Sequence, residues 1–218
     1  MTHSVAFDYT RVLPFPRGGY RAVLELQHRV LEERIRKVVP DTILLGEHER
    51  VITLGRATKV KPEGLPLPVV EVERGGQATW HGPGQLVGYP IVDLVTLGIS
   101  VREYLSSLER ALIAALAEFA IAAQSREGAT GVWVGDRKVA SIGVAVRRFV
   151  TYHGFALNHS PDLSDFRFIQ PCGFSAEVMT SMEQMLGTPP SFGAVTLSVL
   201  RSLVRTLDLA PPIWETSP

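Results

Sequence analysis

Between Gly131 and Leu157 the sequence runs through two apolar segments, Gly131–Val134 and Lys138–Val146, joined by Gly135-Asp136-Arg137, and then through a third, Thr151–Leu157. A glycine–acid pair between two β-branched runs signals a hairpin, because glycine accepts the positive φ that a tight turn demands. Strands joined this closely are antiparallel neighbours. Helical patterns surround this unit. Tyr20–Lys37 carries Val23, Leu24, Leu26, Val30, Leu31 and Ile35 with charges between them, the spacing of a helix with one buried face, and Pro40-Asp41 ends it. Ser100-Val101-Arg102-Glu103 is a capping box that opens an Ala/Leu helix reaching about Ala122. Thr42–Leu45, Val51–Leu54 and Val69–Val72 read as strands, and Leu86–Leu94 as a buried one. Two further helices are expected near Ser175–Leu186 and Phe192–Leu207, separated by Pro189-Pro190, and Pro211-Pro212 ends the regular structure. Strands mixed with helices, and hairpins among the strands, predict an α/β fold of the α+β type: a mixed, largely antiparallel sheet flanked by helices. The 218 residues fit a single domain, 1–218.

Charge and cysteine content narrow the function. Lys plus Arg and Asp plus Glu are both 22, so the chain as a whole has no electrostatic footprint for nucleic acid. The single cysteine, Cys172, excludes an intramolecular disulfide and a zinc ribbon and suits a reducing compartment. No apolar run approaches the roughly 18 residues of a membrane span. Met1–Ala6 lacks the pattern of a signal peptide. The expectation is a cytoplasmic enzyme that binds neither nucleic acid nor membrane.

Cys172 stands in Phe168-Ile169-Gln170-Pro171-Cys172-Gly173-Phe174, with Pro171 fixing the backbone before it and Gly173 removing a side chain after it. Just ahead of the expected Ser175 helix, its thiol would lie where a helix dipole favours thiolate. On this window alone an inert, packed cysteine is the commoner case. Lys138 opens the strand Lys138-Val139-Ala140-Ser141-Ile142-Gly143-Val144. At a strand end a lysine is usually a solvated edge charge. Pointing inward, it would be desolvated and able to serve as a base. A Cys172/Lys138 pair would suit transfer between a thioester and an amine: the ammonium stabilises the thiolate, and the neutral amine takes a proton from the attacking amine.

The run Arg74-Gly75-Gly76-Gln77-Ala78-Thr79-Trp80-His81-Gly82-Pro83-Gly84-Gln85 is a third candidate. Its four glycines let backbone approach a ligand closely. No Gly-Lys-Ser/Thr follows, so it is not a Walker loop, and the spacing is wrong for a dinucleotide fingerprint. Arg, Gln, Thr and His among the glycines favour a binding loop over a bare turn. The six histidines include no HExxH and have no companion cysteines, so no metal is expected. A papain-like Cys/His pair would need a flanking signature that is missing.

Four windows, in order, resemble the lipoyl(octanoyl) transferase family: Arg74–Leu86, Gly135–Gly143, His153-Gly154-Phe155-Ala156-Leu157-Asn158 and Phe168–Gly173. The similarity runs from about Leu44 to about Leu186, and Trp80 stands where the family more often has tyrosine. The resemblance implies the catalytic fold of biotin and lipoate protein ligases. It implies Cys172 as the acyl-thioester nucleophile and Lys138 as the lysine that activates it. The implied acyl-binding residues are Arg74, Gly75, Gly76, Gln77, Ala78, Thr79, Trp80 and His81, then Ser141, Ile142 and Gly143, then Gly154, Phe155 and Ala156. The implied donor is octanoyl-acyl carrier protein. The implied acceptors are lysines on the lipoyl domains of 2-oxoacid dehydrogenases and on the glycine cleavage H protein, with no cofactor, ATP or metal. Chain length would be set by an apolar slot, at about 0.8 kcal/mol per buried methylene. Leu86, Val139, Ile142, Phe155 and Leu157 are candidates for its wall, and Arg147-Arg148 for contact with an acidic carrier. Rival readings are an ATP-dependent lipoate or biotin ligase on the same fold, an amidotransferase between lipoyl domains, and an acyl-binding module without turnover.

Overall fold

A computed structural model describes residues 7–59, 64–169 and 176–216 of the chain. The main sheet holds β1 (Thr10–Gly18), β2 (Thr42–His48), β6 (Gln85–Ile91), β7 (Val132–Val134), β8 (Arg137–Arg147), β9 (Val150–Asn158) and β10 (Pro212–Trp214), in the order β10-β1-β2-β6-β9-β8-β7. β1 is parallel to both its neighbours, and the other pairs are antiparallel. A smaller sheet has the order β4-β3-β5, with β3 at Val51–Leu54, β4 at Val69–Glu71 and β5 at Ala78–His81. The helices are α1 (Tyr20–Ile35), the short α2 (Leu94–Leu97), α3 (Val101–Ala117), α4 (Met182–Leu186) and α5 (Phe192–Thr206). This is the mixed, largely antiparallel sheet with flanking helices that the sequence predicts.

Both faces of the main sheet are covered, and the alternation along its strands shows how. Leu86, Phe155 and Leu157 pack with Leu108, Leu112, Val199 and Leu203 of α3 and α5. Val87, Tyr89, Tyr152 and Ala156 pack with Val23, Val30 and Leu31 of α1. Every residue of β6 and β9 is buried, the polar Gln85, Thr151, His153 and Asn158 included.

Several boundaries differ from the sequence reading, each for a physical reason. α3 stops at Ala117 rather than Ala122, because Ala120 turns to φ 58° and the Ile121 N–H donates back to the Leu116 carbonyl, a Schellman stop. The helix expected near Ser175–Leu186 is not continuous. A 3-10 turn at Ala176–Val178 gives way to an extended Met179–Thr180, where the Thr180 N–H donates to the Lys138 carbonyl and Asn158 Nδ2 donates to the Thr180 carbonyl. Ser181 then caps the five-residue α4. Regular structure continues past Pro211: β10 pairs with Thr10–Val12 of β1. β1 tolerates Pro14 and Pro16 because even-numbered residues turn their backbone polar groups toward β10, and that pairing ends at Val12.

Candidate active site

Two neighbouring cavities lie between the main sheet, the small sheet and the Arg74–Gln77 loop. The larger measures about 340 Å³ and is bordered by Gly75, Gly76, Gln77, Lys138, Ile142, Gly143 and Val144, with Gly128–Thr130 and Leu105 opposite. The smaller, about 30 Å³, is bordered by Arg74, Gly76, Thr79, His81, Ser141–Gly143, Gly154–Ala156, Tyr20, Tyr89 and His153. Gly76, Ile142 and Gly143 border both.

The register of β8 against β9 brings two of the sequence windows together. Ser141 faces Ala156, Ile142 faces Phe155, and Gly143 faces Gly154 across the ladder. Gly154 has no room for a side chain, since a Cβ there would lie 2.2 Å from the Gly88 carbonyl oxygen. Of the wall residues suggested for the slot, Ile142 and Phe155 border the cavities, whereas Leu86, Val139 and Leu157 belong to the core under α3 and α5.

β5 lies within what the sequence presents as a glycine-rich loop, and its alternation divides the expected binding residues. Thr79 and His81 face the small cavity. Ala78 and Trp80 face the other way and pack with Phe166, Ile169 and Met179. Gly82 makes room for the Trp80 indole, because a Cβ there would sit 2.2 Å from its ring. Arg74 holds the loop from within. Its Nη1 donates to the Gly75 and Gln77 carbonyls at 3.1 and 2.8 Å, and its Nη2 to the carbonyl and Oγ1 of Thr53, both at 2.9 Å. The Gly75 N–H donates to the Val144 carbonyl at 2.8 Å, which pins the loop to β8.

Lys138 points inward and is 1% exposed. Its Nζ donates to the Thr130 carbonyl at 2.7 Å and lies 5.3 Å from the centre of the Trp133 ring, a cation–π contact. No carboxylate pairs with it among the described residues. Gly131 makes its channel: a Cβ there would lie 2.4 Å from Lys138 Cε, and φ is +133°. The segment after the cysteine window returns here, as Met179 bridges to Lys138 in parallel register. Cys172, with Gln170–Ser175 around it, lies outside the described residues. The short pieces at Ala176–Val178 and Met182–Leu186 replace the long helix whose dipole was expected to favour the thiolate.

Behind the small cavity sits a buried polar cluster that sequence reasoning did not assemble. Tyr89 OH and His48 Nε2 are 2.7 Å apart, His81 Nδ1 and Gln85 Oε1 2.8 Å, and the rings of Tyr20 and His81 stack. Burial drives His48 to about 4, and burial with the nearby Arg74 guanidinium drives His153 to about 4. Burial and the neighbouring His48 hold His81 well below the usual range. Burial pushes the Tyr20 phenol up to about 12. At neutral pH these rings are therefore uncharged. Tyr20 gave no sign in the sequence beyond opening an amphipathic helix. Among the described residues no three His, Cys, Asp or Glu side chains converge as a metal site would require, and no helix is long and apolar enough to cross a membrane.

Comparison with known proteins places this arrangement. The family model for the lipoyl protein ligase A/B catalytic domain matches residues 19–204. An octanoyltransferase of Geobacter metallireducens is 44% identical over 201 residues, covering 91% of this chain and 93% of its own. The chain belongs to the octanoyltransferase family. It is therefore an acyltransferase. A lipoate-protein ligase A crystallised with ATP superposes with a TM-score of 0.75 at 14% identity, over 96% of this chain and 90% of that one. The biotin protein ligase of Aquifex aeolicus follows at 0.54 and 12%, over 93% and 70%. For this octanoyltransferase-family chain, Arg147-Arg148 lies at the end of β8 remote from Lys138, and Arg147 Nη1 pairs with Glu32 at 2.7 Å.

Proposed function

We propose that the protein moves an octanoyl group from octanoyl-acyl carrier protein to the lysine of a lipoyl domain, by way of a thioester on Cys172. The observation that carries this reading is Lys138: a buried amine, without a carboxylate partner among the described residues, on the wall of a cavity shared with the binding loop. The names of the curated relatives support the octanoyl group. In the first transfer the Cys172 thiolate attacks the donor thioester carbonyl, the carrier C–S bond breaks, and the carrier sulfur leaves with the proton that Lys138 gives up. In the second, the acceptor lysine attacks the acyl-Cys172 carbon. Its proton passes to Lys138, the C–S bond breaks, and an amide forms. Gly76 and Gln77 border the larger cavity, and their N–H groups are suited to hold the oxyanion. Thioester to amide is downhill, so the reaction needs no nucleotide. Acceptors of this chemistry are the lipoyl domains of 2-oxoacid dehydrogenases and the glycine cleavage H protein, and the setting is the cytoplasm.

The test mixes the protein with octanoyl-acyl carrier protein and a lipoyl domain, without ATP, and follows the acceptor by mass. Octanoylated acceptor is expected from the native protein, and none above background from Cys172→Ser. Undiminished transfer by Cys172→Ser would remove the cysteine from the mechanism, and a strict need for ATP would favour a ligase.

A further inference from the structure

We infer that Glu109 of α3 is a positioning residue for acyl transfer, holding the peptide group that the Lys138 amine faces; this rests on the octanoyl-transfer reading above. The Lys138 amine donates to the Thr130 carbonyl at 2.7 Å, and the Gly131 N–H donates to Glu109 Oε1 at 2.9 Å. That carbonyl and that N–H are the two ends of a single peptide group. Among the described residues no peptide bond is cis, and in a trans peptide the C=O and N–H point in opposite directions. The carboxylate and the amine therefore sit on opposite edges of one plane. A carboxylate accepting at one edge polarises the peptide and makes its carbonyl a better acceptor at the other.

Without such a hold this peptide turns over easily. Residues 128–131 lie outside helix and strand, between α3 and β7. Rotating a peptide plane changes the ψ before it and the φ after it, and the residue after it is Gly131, which accepts φ of either sign. Turned over, the plane would present its N–H to Lys138, a donor facing a donor. Glu109 prevents this from a fixed base. Its neighbours Leu108, Ala111 and Leu112 anchor α3 in the core, and its own half-buried side chain reaches from the helix flank. The helix thus sets the orientation of the peptide, and the peptide sets where the amine stands. With one donor committed to the Thr130 carbonyl and the Trp133 ring on its flank, the amine keeps its remaining N–H capacity for groups in the larger cavity. In the sequence Glu109 looks like one more solvated charge on an amphipathic helix.

The experiment measures octanoyl transfer by the full chain, from octanoyl-acyl carrier protein to a lipoyl domain, in Glu109→Ala, Glu109→Asp and Glu109→Gln. Gln keeps the reach to the Gly131 N–H without the charge, whereas Asp keeps the charge and falls one methylene short. Glu109→Ala should lower kcat about tenfold, as expected for a lost hydrogen bond to a charged group, with KM for both substrates unchanged. Asp should be as slow as Ala, and Gln should stay within about threefold of the native protein. Should the Ala variant fail to fold, the contrast between Asp and Gln decides the matter alone. In a Lys138→Met background, removing the Glu109 side chain should lower transfer by no more than about twofold, because the two residues act through one peptide. An equal tenfold loss without the amine, a Gln variant as slow as Asp, or a loss seen in KM rather than kcat overturns the positioning role. Native transfer with no slowing in any Glu109 variant also overturns it and leaves the octanoyl reading standing. Failure of the native protein to octanoylate the acceptor overturns that reading itself, and the role of Glu109 with it.

Discussion

Beside the larger cavity Lys138 is buried against the Thr130 carbonyl and the Trp133 ring; beside the smaller one, at the other end of the site, His48, His81 and His153 are buried among tyrosines and an amide, with the Glu73 carboxylate 3.4 Å from His153. Both ends take ionisable groups out of water, but burial acts on them differently. The histidines shed their charge at little cost, and their ring nitrogens contact Tyr89, Gln85 and Tyr20. That end is scaffolding, silent to protons near neutrality. The lysine meets a carbonyl and a ring face, and no carboxylate pairs with it among the described residues, so its amine is left available to reacting groups in the cavity it borders. The comparison assigns reaction to one end and shape to the other.

The largest effect should come from removing the amine alone. Lys138→Met keeps the length of the side chain and is expected to slow octanoyl transfer by about 100-fold or more. Thermal stability should stay level or rise, because a buried amine is replaced by an apolar chain. A loss of a few fold, with lowered stability, would make Lys138 structural and erase the contrast between the two ends.

The histidine end should answer to acid. His48 and His153 titrate near 4 when folded, whereas an unfolded histidine titrates near about 6.5. Between these values the unfolded chain binds more protons, so stability rises with pH through this window and is lost as pH falls. Each histidine contributes about 1.4 kcal/mol per pH unit, about tenfold in the folding equilibrium. Asp41, whose carboxyl pKa is raised by burial, works in the opposite direction. Denaturant unfolding should give a level plateau above pH 6.5 and a steep fall below it. A profile that stays flat down to pH 5 would show that these rings are not buried neutral.

A smaller effect tests how Lys138 is held. Gly131→Ala places a Cβ 2.4 Å from Lys138 Cε and 2.6 Å from the Ala140 carbonyl, at a φ of +133°. Transfer should fall several-fold, about fivefold, with a modest loss of stability. In a Lys138→Met background the loss of transfer should largely vanish, because neighbours in contact are not additive. Full additivity would mean that Gly131 acts through the fold rather than through the lysine.

Much of this was legible in the sequence, and the gaps have identifiable causes. The hairpin at Gly135, the capping box at Ser100 and Glu103, and the chemistry of each motif depend on neighbours in the chain and can be read there. That Ser141–Gly143 and Gly154–Ala156 face one another depends on strand register, which no window carries by itself. β5 was hidden because its four residues sit among glycines, and with it the alternation that turns Thr79 inward and Trp80 away. A lysine opening a strand gives no sign of its direction. Lys138 is turned inward by a glycine seven residues earlier and a carbonyl eight earlier. Tyr20 and His48 reach the small cavity's surroundings only through the packing of α1 and β2 against β5 and β6.

The claim that chemistry resides at the Lys138 end is tested most directly by the rate at which iodoacetamide alkylates Cys172 across pH, in the native protein and in Lys138→Met. The account predicts a native midpoint below the value of about 8.5 for a free thiol, and a shift upward toward it when the amine is removed. Two superimposable profiles would contradict it.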